Sequence, residues 1–187
     1  MEQVEAYDRA LREFDDRVHH VGVGQWNADT PCEDWSVRDL VNHLTSEHTW
    51  APWLLRGSTL AEVGDRYDGD LLGDHPVRAW ERAAAGSREA FHAPGAFEGT
   101  VHVTGGRTAA SEYGWQIITD LTVHAWDLAR GIGDDDTLDE SLAELVYERI
   151  APHVDAWQGA GIFAPPVEVP ADARAQDRLV ALLGRRP

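Results

Sequence analysis

A chain of 187 residues is long enough to bury one core and too short for two independently folded domains, so a single domain over residues 1–187 is expected. Its formal charge of −17, from 33 acids against 16 bases that are all arginine, repels phosphate backbones and anionic bilayers and excludes both nucleic acid and membrane as partners. No apolar run reaches the roughly 20 residues that span a bilayer. The amino-terminal "MEQVEAYDRALREFDDR" lacks the basic start and apolar centre of a secretory signal, and Cys32 has no second cysteine to pair with, so a reducing, cytoplasmic setting is expected.

Apolar residues recur at three- and four-residue spacing along most of the chain. Val4, Tyr7, Leu11, Phe14, Val18 and Val21 predict a first amphipathic helix. Ser36 and Asp39 stand at N-cap and N3 spacing and start a second, which carries Leu40, Val41, Leu44, Ala51 and Leu55 to about Arg56. Residues 57–76, rich in glycine and aspartate, read as a loop unusually long for a compact domain, of the kind that covers a site. Val77, Trp80, Ala84 and Phe91 give a third helix, stopped by Pro94 and Gly95. In residues 97–107, "FEGTVHVTGGR", apolar and polar residues alternate before a Gly-Gly turn, which predicts a short β excursion. A fourth long helix is expected from Thr108 to Ala129, ended by Gly131 and Gly133. The capping-box pattern "TLDE", Thr137 to Glu140, opens a fifth that continues through Leu142, Val146, Ile150 and Trp157. The proline-rich "FAPPVEVPADA" then leads to a last short helix around Leu179, Leu182 and Leu183. The sum is an all-α domain, a bundle with additional short helices.

The fourth helix carries three ionisable groups on one flank of its apolar face. Measured from Leu121 at about 100° per residue, Ile117, Ile118, Ala125 and Leu128 define the core stripe, while His124 lies at about −60°, Asp120 at about −100° and Asp127 at about −120°. Residues four apart stack one turn above each other, so Asp120 and His124 can direct donors to a common point, such as a metal ion. On the second helix, Glu47 falls inside the apolar stripe at about −20° from Leu40, with His43 at its edge at about −60°. A carboxylate there is costly without a compensating cation, and His43, Glu47, Asp120 and His124 together would supply the ligands for one.

Other groups have plainer readings. Asp127 is either an exposed acid or a hydrogen-bond acceptor that holds the His124 ring. The remaining seven of the nine histidines, among them His48, read as scattered helix or loop positions. Cys32 precedes a helix start, but Glu33 and Asp34 oppose its ionisation, so a buried structural cysteine is expected. Most of the eight tryptophans read as packing; Trp50, seven residues beyond His43, is placed at a pocket mouth. Arg107 and Arg130 are equally ligand-attracting groups or surface ion-pair members.

"TPCEDWSVRDLVNHL" at 30–44, "DLTVHAWDLARGIG" at 120–133 and the carboxy-terminal "FAPPVEVPADARAQDRLVALLGRRP" resemble the actinobacterial branch of the DinB/YfiT-like superfamily, related to the N-terminal domain of mycothiol-dependent maleylpyruvate isomerase. The resemblance runs over nearly the whole chain. It implies a four-helix bundle of up-down-down-up connectivity with a divalent metal held by His43, Asp120 and His124. The isomerase has glutamate where Asp120 stands, so the carboxylate arm here is shorter. The isomerase also has a further domain that this chain looks too short to contain, so maleylpyruvate isomerisation itself is not the expected reaction.

Two imidazoles and one carboxylate leave coordination positions open, as in catalytic sites; zinc is the default, and nickel, iron and manganese suit the same donors. In thiol-transferase members the resemblance implies that the metal lowers the pKa of a low-molecular-weight thiol such as mycothiol, which then attacks a small electrophile. Glu47 would accept the thiol proton and Trp50 would contact the cofactor. Three readings stand: a metal-dependent thiol S-transferase acting on a small-molecule substrate, a metal-dependent hydrolase or lyase that uses a bound water, and a non-catalytic metal or small-molecule binding protein in the form of a homodimer.

Overall fold

The apolar stripes are realised as seven helices and one hairpin in a computed structural model, which describes residues 1–154 and 164–187. Four long helices form the bundle: α1 (Gln3–His20), α2 (Val37–Leu55), α4 (Pro76–Phe91) and α5 (Ala110–Ile132). Short α3 (Leu60–Val63) and the hairpin β1 (Thr100–Val103) and β2 (Gly106–Ala109) are inserted between them, and α6 (Glu140–Ile150) and α7 (Ala175–Leu182) follow.

Side-chain contacts fix the helix directions. Gln3 at the start of α1 donates to the Ser111 carbonyl at the start of α5, and His20 at the end of α1 meets Asp134 beyond the end of α5, so these two run parallel. Tyr7 pairs with Ser87, and Asp15 with Trp80, which sets α4 antiparallel to α1. Val37 packs on Gly131 while His43 meets Asp120, which sets α2 antiparallel to α5. The order is therefore up-down-down-up, as the sequence motifs implied.

The core follows the expected stripes, with Phe14, Leu40, Leu44, Ile118, Leu121 and Leu128 all buried. On α5 the burial extends past the stripe to Thr119, Thr122 and Trp126, because both flanks of the helix are covered. Ser36 starts α2 as expected: its side chain accepts from the Asp39 amide and the Asp39 carboxylate accepts from the Ser36 amide. Ser36→Ala is expected to lower the unfolding free energy by about 1 kcal/mol, read as a lower urea midpoint at unchanged slope.

Several boundaries differ from expectation. The 57–76 loop contains α3, started by a Thr59–Glu62 capping box, and its remainder is tied to α2 by Asn42, which donates to the Gly69 carbonyl (2.9 Å) and accepts from the Leu71 amide (2.8 Å). The β excursion is centred slightly later than 97–107, pairing Thr100 with Ala109 and Val103 with Gly106, and this pairing delays the start of α5 to Ala110. Gly133, with φ +70°, caps α5, whereas Gly131 lies inside it. A Cβ at 131 would come within 3.1 Å of the Asp29 carbonyl, so that glycine serves close packing. The N-cap of α6 is Asp139, not Thr137: the Asp139 carboxylate accepts from the Leu142 amide at 2.9 Å, and the Thr137 carbonyl lies outside the helix, bonded by the Arg17 guanidinium at 2.7 Å. The α6 helix stops at Ile150, and Trp157 lies outside the described residues. Among the described residues no helix is long and apolar enough to cross a membrane.

Candidate metal centre

The antiparallel packing of α2 on α5 brings His43 opposite Asp120, and one helical turn on α5 sets His124 above Asp120. His43 Nε2 lies 2.8 Å from Asp120 Oδ2, and His124 Nε2 lies 3.4 Å from Asp120 Oδ1. One donor atom from each of the three residues falls within 4.8 Å of the others. His124 is buried; His43 and Asp120 each leave about three-tenths of the side chain open. Burial opposes the charge on Asp120, but the His124 and His43 imidazoles outweigh it and hold the carboxyl well below the usual range. Burial likewise opposes the charges on both histidines, and Asp120 outweighs it, raising His43 and His124 above the ordinary histidine value.

Behind His124 stands a second layer. Asp127 is fully buried, which removes the exposed-acid reading, and its Oδ2 accepts from His124 Nδ1 at 2.9 Å. Arg185, from the carboxy-terminal tail, donates to both Asp127 oxygens at 3.2 and 2.8 Å. Because Asp127 can only accept, His124 keeps a proton on Nδ1, and Nε2, which faces Asp120, is the atom whose proton a metal would displace.

Cys32 is not the buried structural residue expected. It is half-buried, with Sγ 3.4 Å from Asp127 Oδ2, 3.8 Å from His124 Nδ1 and 3.1 Å from Arg185 Nη2. Cys32, His124 and Asp127 also cluster closely enough to hold a cation, but the Arg185 guanidinium already supplies the positive charge there. Of the two clusters, the donor chemistry of His43, Asp120 and His124 is the one that fits a divalent ion.

A cavity of about 920 Å³ opens beside this trio, with His43 and Asp120 in its wall. Glu47 and Trp50 of α2 line it as the sequence suggested, and the 57–76 segment does cover it, through Leu60, Ala61 and Gly64. The hairpin adds Val103, Thr104 and Gly105. Burial, and next the Asp120 charge, push the Glu47 carboxyl above its usual range. Arg107 and Arg130 are elsewhere: Arg107 donates to Thr100 on the hairpin, and Arg130 pairs with Asp136.

Three neighbours escaped the sequence reading. Trp35 stacks beside both ligand rings, with centroids 4.9 Å from His43 and 5.8 Å from His124. Arg185 approaches from far along the chain, and no local spacing announces it. Tyr113 lines the cavity one helical turn before Ile117. His48, treated as unremarkable in the sequence, is fully buried, with Nδ1 2.8 Å from Ser87 Oγ, which in turn bonds Tyr7 at 2.9 Å.

A metal entering the trio must displace protons from two histidines whose pKa values are raised. Zinc affinity is therefore expected to fall by roughly ten-fold or more per unit as the pH drops between about 8 and 6, measured by competition with a chromophoric chelator.

An up-down-down-up helical bundle with an imidazole–carboxylate cluster beside a central cavity is the class of protein this architecture defines. Residues 7–129 match the family profile of the mycothiol maleylpyruvate isomerase N-terminal domain, and the chain belongs to that family. It is also 30% identical to the uncharacterized proteins Rv0738 and MT0763 of Mycobacterium tuberculosis, over 99% of this chain and 98% of theirs. No solved structure matches it. His43, Asp120 and His124 all lie within the matched stretch, whereas Arg185 lies beyond it.

Proposed function

We propose that the chain is a divalent-metal-dependent enzyme that joins a low-molecular-weight thiol, mycothiol in the first instance, to a small electrophile. Zinc is the first expectation for the metal, from the donor types of His43, Asp120 and His124. The observation that carries this reading is the convergence of that trio beside a cavity whose wall includes His43 and Asp120 and whose size suits small molecules. Membership of a family named for a mycothiol-dependent isomerase supports the choice of thiol.

When bound, a divalent ion supplies the Lewis acidity that keeps a coordinated thiol deprotonated at neutral pH. Glu47, with its raised pKa, receives the thiol proton, and Trp50 provides an apolar wall for the thiol carrier. Asp127 and Arg185 fix the His124 ring, and Trp35 packs against both imidazoles and limits water on that side.

The test is consumption of a panel of small electrophiles by zinc-loaded protein, with and without mycothiol. Turnover that requires the thiol is expected. Equal turnover without it would instead support a hydrolase or lyase using bound water, and tight ligand binding with no turnover in either arm would support a binding protein.

A further inference from the structure

Tyr113 is 2% exposed in the cavity wall, and its hydroxyl has no hydrogen-bond partner among the described residues. Native proteins rarely leave such a group unpaired, and one on a residue that lines a cavity is open to completion by what binds there. The ring is held in place by Phe91, stacked at 6.0 Å between centroids. Burial, and next the Glu47 carboxyl, raise the phenol well above the usual tyrosine range, so toward an incoming ligand it acts as a donor.

The rest of the lining points the same way. Thr104, Thr108 and Gln116 add uncharged hydrogen-bonding groups. The ionisable lining groups are the carboxyls of Glu47 and Asp120, and His43, which is already engaged with Asp120. No arginine lines the cavity among the described residues. In the metal-free cavity a carboxylate entering would meet two carboxyls and no guanidinium fork, whereas a neutral carbonyl needs only one well-placed donor.

We propose that the cavity selects uncharged small molecules through a carbonyl oxygen that accepts the hydrogen bond of Tyr113 Oη, and discriminates against carboxylates of the same size. This deepens the transferase reading and rests on it for the role of the ligand as the electrophile. The hydrocarbon part of such a ligand has Trp50, Leu54 and Ile117 to lie against.

The experiment is calorimetric titration of metal-free protein, prepared by dialysis against a chelator, with benzalacetone as a neutral enone and cinnamate as its carboxylate counterpart. Benzalacetone is expected to bind about ten-fold or more tightly than cinnamate. Tyr113→Phe is expected to weaken benzalacetone by roughly five- to ten-fold, with cinnamate little changed. The variant should melt no lower than the wild type, because it loses a buried hydroxyl that has no partner, and this separates a binding role from a folding one. Equal benzalacetone affinity in wild type and Tyr113→Phe, or cinnamate binding as tightly as benzalacetone, would overturn the proposal. Thiol transfer is assayed separately on zinc-loaded protein. A Tyr113 effect on benzalacetone in the metal-free protein, with no thiol transfer by the zinc-loaded protein, keeps this inference and sinks the transferase reading.

Discussion

His124→Ala is expected to bind zinc more than about a hundred-fold more weakly than the wild type, in competition with a chromophoric chelator. The substitution removes one of three converging donors and leaves Asp120 bonded to His43 alone. It also strips Asp127 of its imidazole partner, although Arg185 still pairs with that buried carboxylate, so the fold is kept. Asp127→Asn should give a smaller loss, about ten-fold, because an amide N–H facing Nδ1 of His124 turns the ring toward the wrong tautomer. Arg185→Met should weaken binding less again, since it frees Asp127 without touching the ring. This graded order distinguishes a metal centre from an ion-pair network. In a purely structural network the three variants would lower the melting temperature and leave zinc uptake unchanged.

Acid is expected to destabilise the protein through His48 before most carboxylates titrate. Its complete burial lowers its pKa from the ordinary 6.5 to about 3, so the folded ring stays neutral while the unfolded chain takes up a proton. The sign is fixed by that difference. Above about pH 6.5 the ring is neutral in both states and costs nothing; between 6.5 and about 3 the unfolded state binds the extra proton and stability falls. At about 1.4 kcal/mol per unit, the loss approaches about 4 kcal/mol at the acid end. His19, His43 and His124 run the other way: their raised values give stability that is complete below the unfolded pKa and is lost as pH rises through the folded one. Comparing His48→Leu with the wild type therefore isolates the one group. The variant leaves the Tyr7–Ser87 bond in place, and its urea midpoint should fall less steeply than the wild type's between about pH 6.5 and 4. Parallel pH profiles for the two proteins would show that His48 does not carry the acid response.

What the sequence made legible was periodic or local. The stripe through Leu121 and Leu128, the Ser36–Asp39 cap and the four-residue spacing of Asp120 and His124 each depend on residues within a turn or two, and each reappears in the fold. Glu47 was legible because a carboxylate inside an apolar stripe contradicts its surroundings. The surroundings of the site were not legible, because they come from distant chain. Asp127 looked ambiguous by angle alone, and the tail that buries it approaches 58 residues later through Arg185. Cys32 appeared to face only its acidic neighbours, yet its sulfur meets that same arginine across 153 residues. Thr137 matched a capping pattern, and Arg17 from the first helix took its carbonyl. Tyr113 drew no reading from the sequence; α2, α3 and the hairpin, packed opposite it, make its position a cavity wall.

Under the proposed function, His43, Asp120 and His124 hold a metal to which a thiol binds. Its most direct test is cobalt(II) substitution followed by titration with mycothiol, read by absorption spectroscopy. One equivalent of cobalt is expected in the wild type, with a sulfur-to-cobalt charge-transfer band that grows as thiol is added, and neither signal is expected in His124→Ala. Failure of the wild type to take up cobalt, or a thiol titration that leaves the spectrum of the loaded protein unchanged, would contradict it.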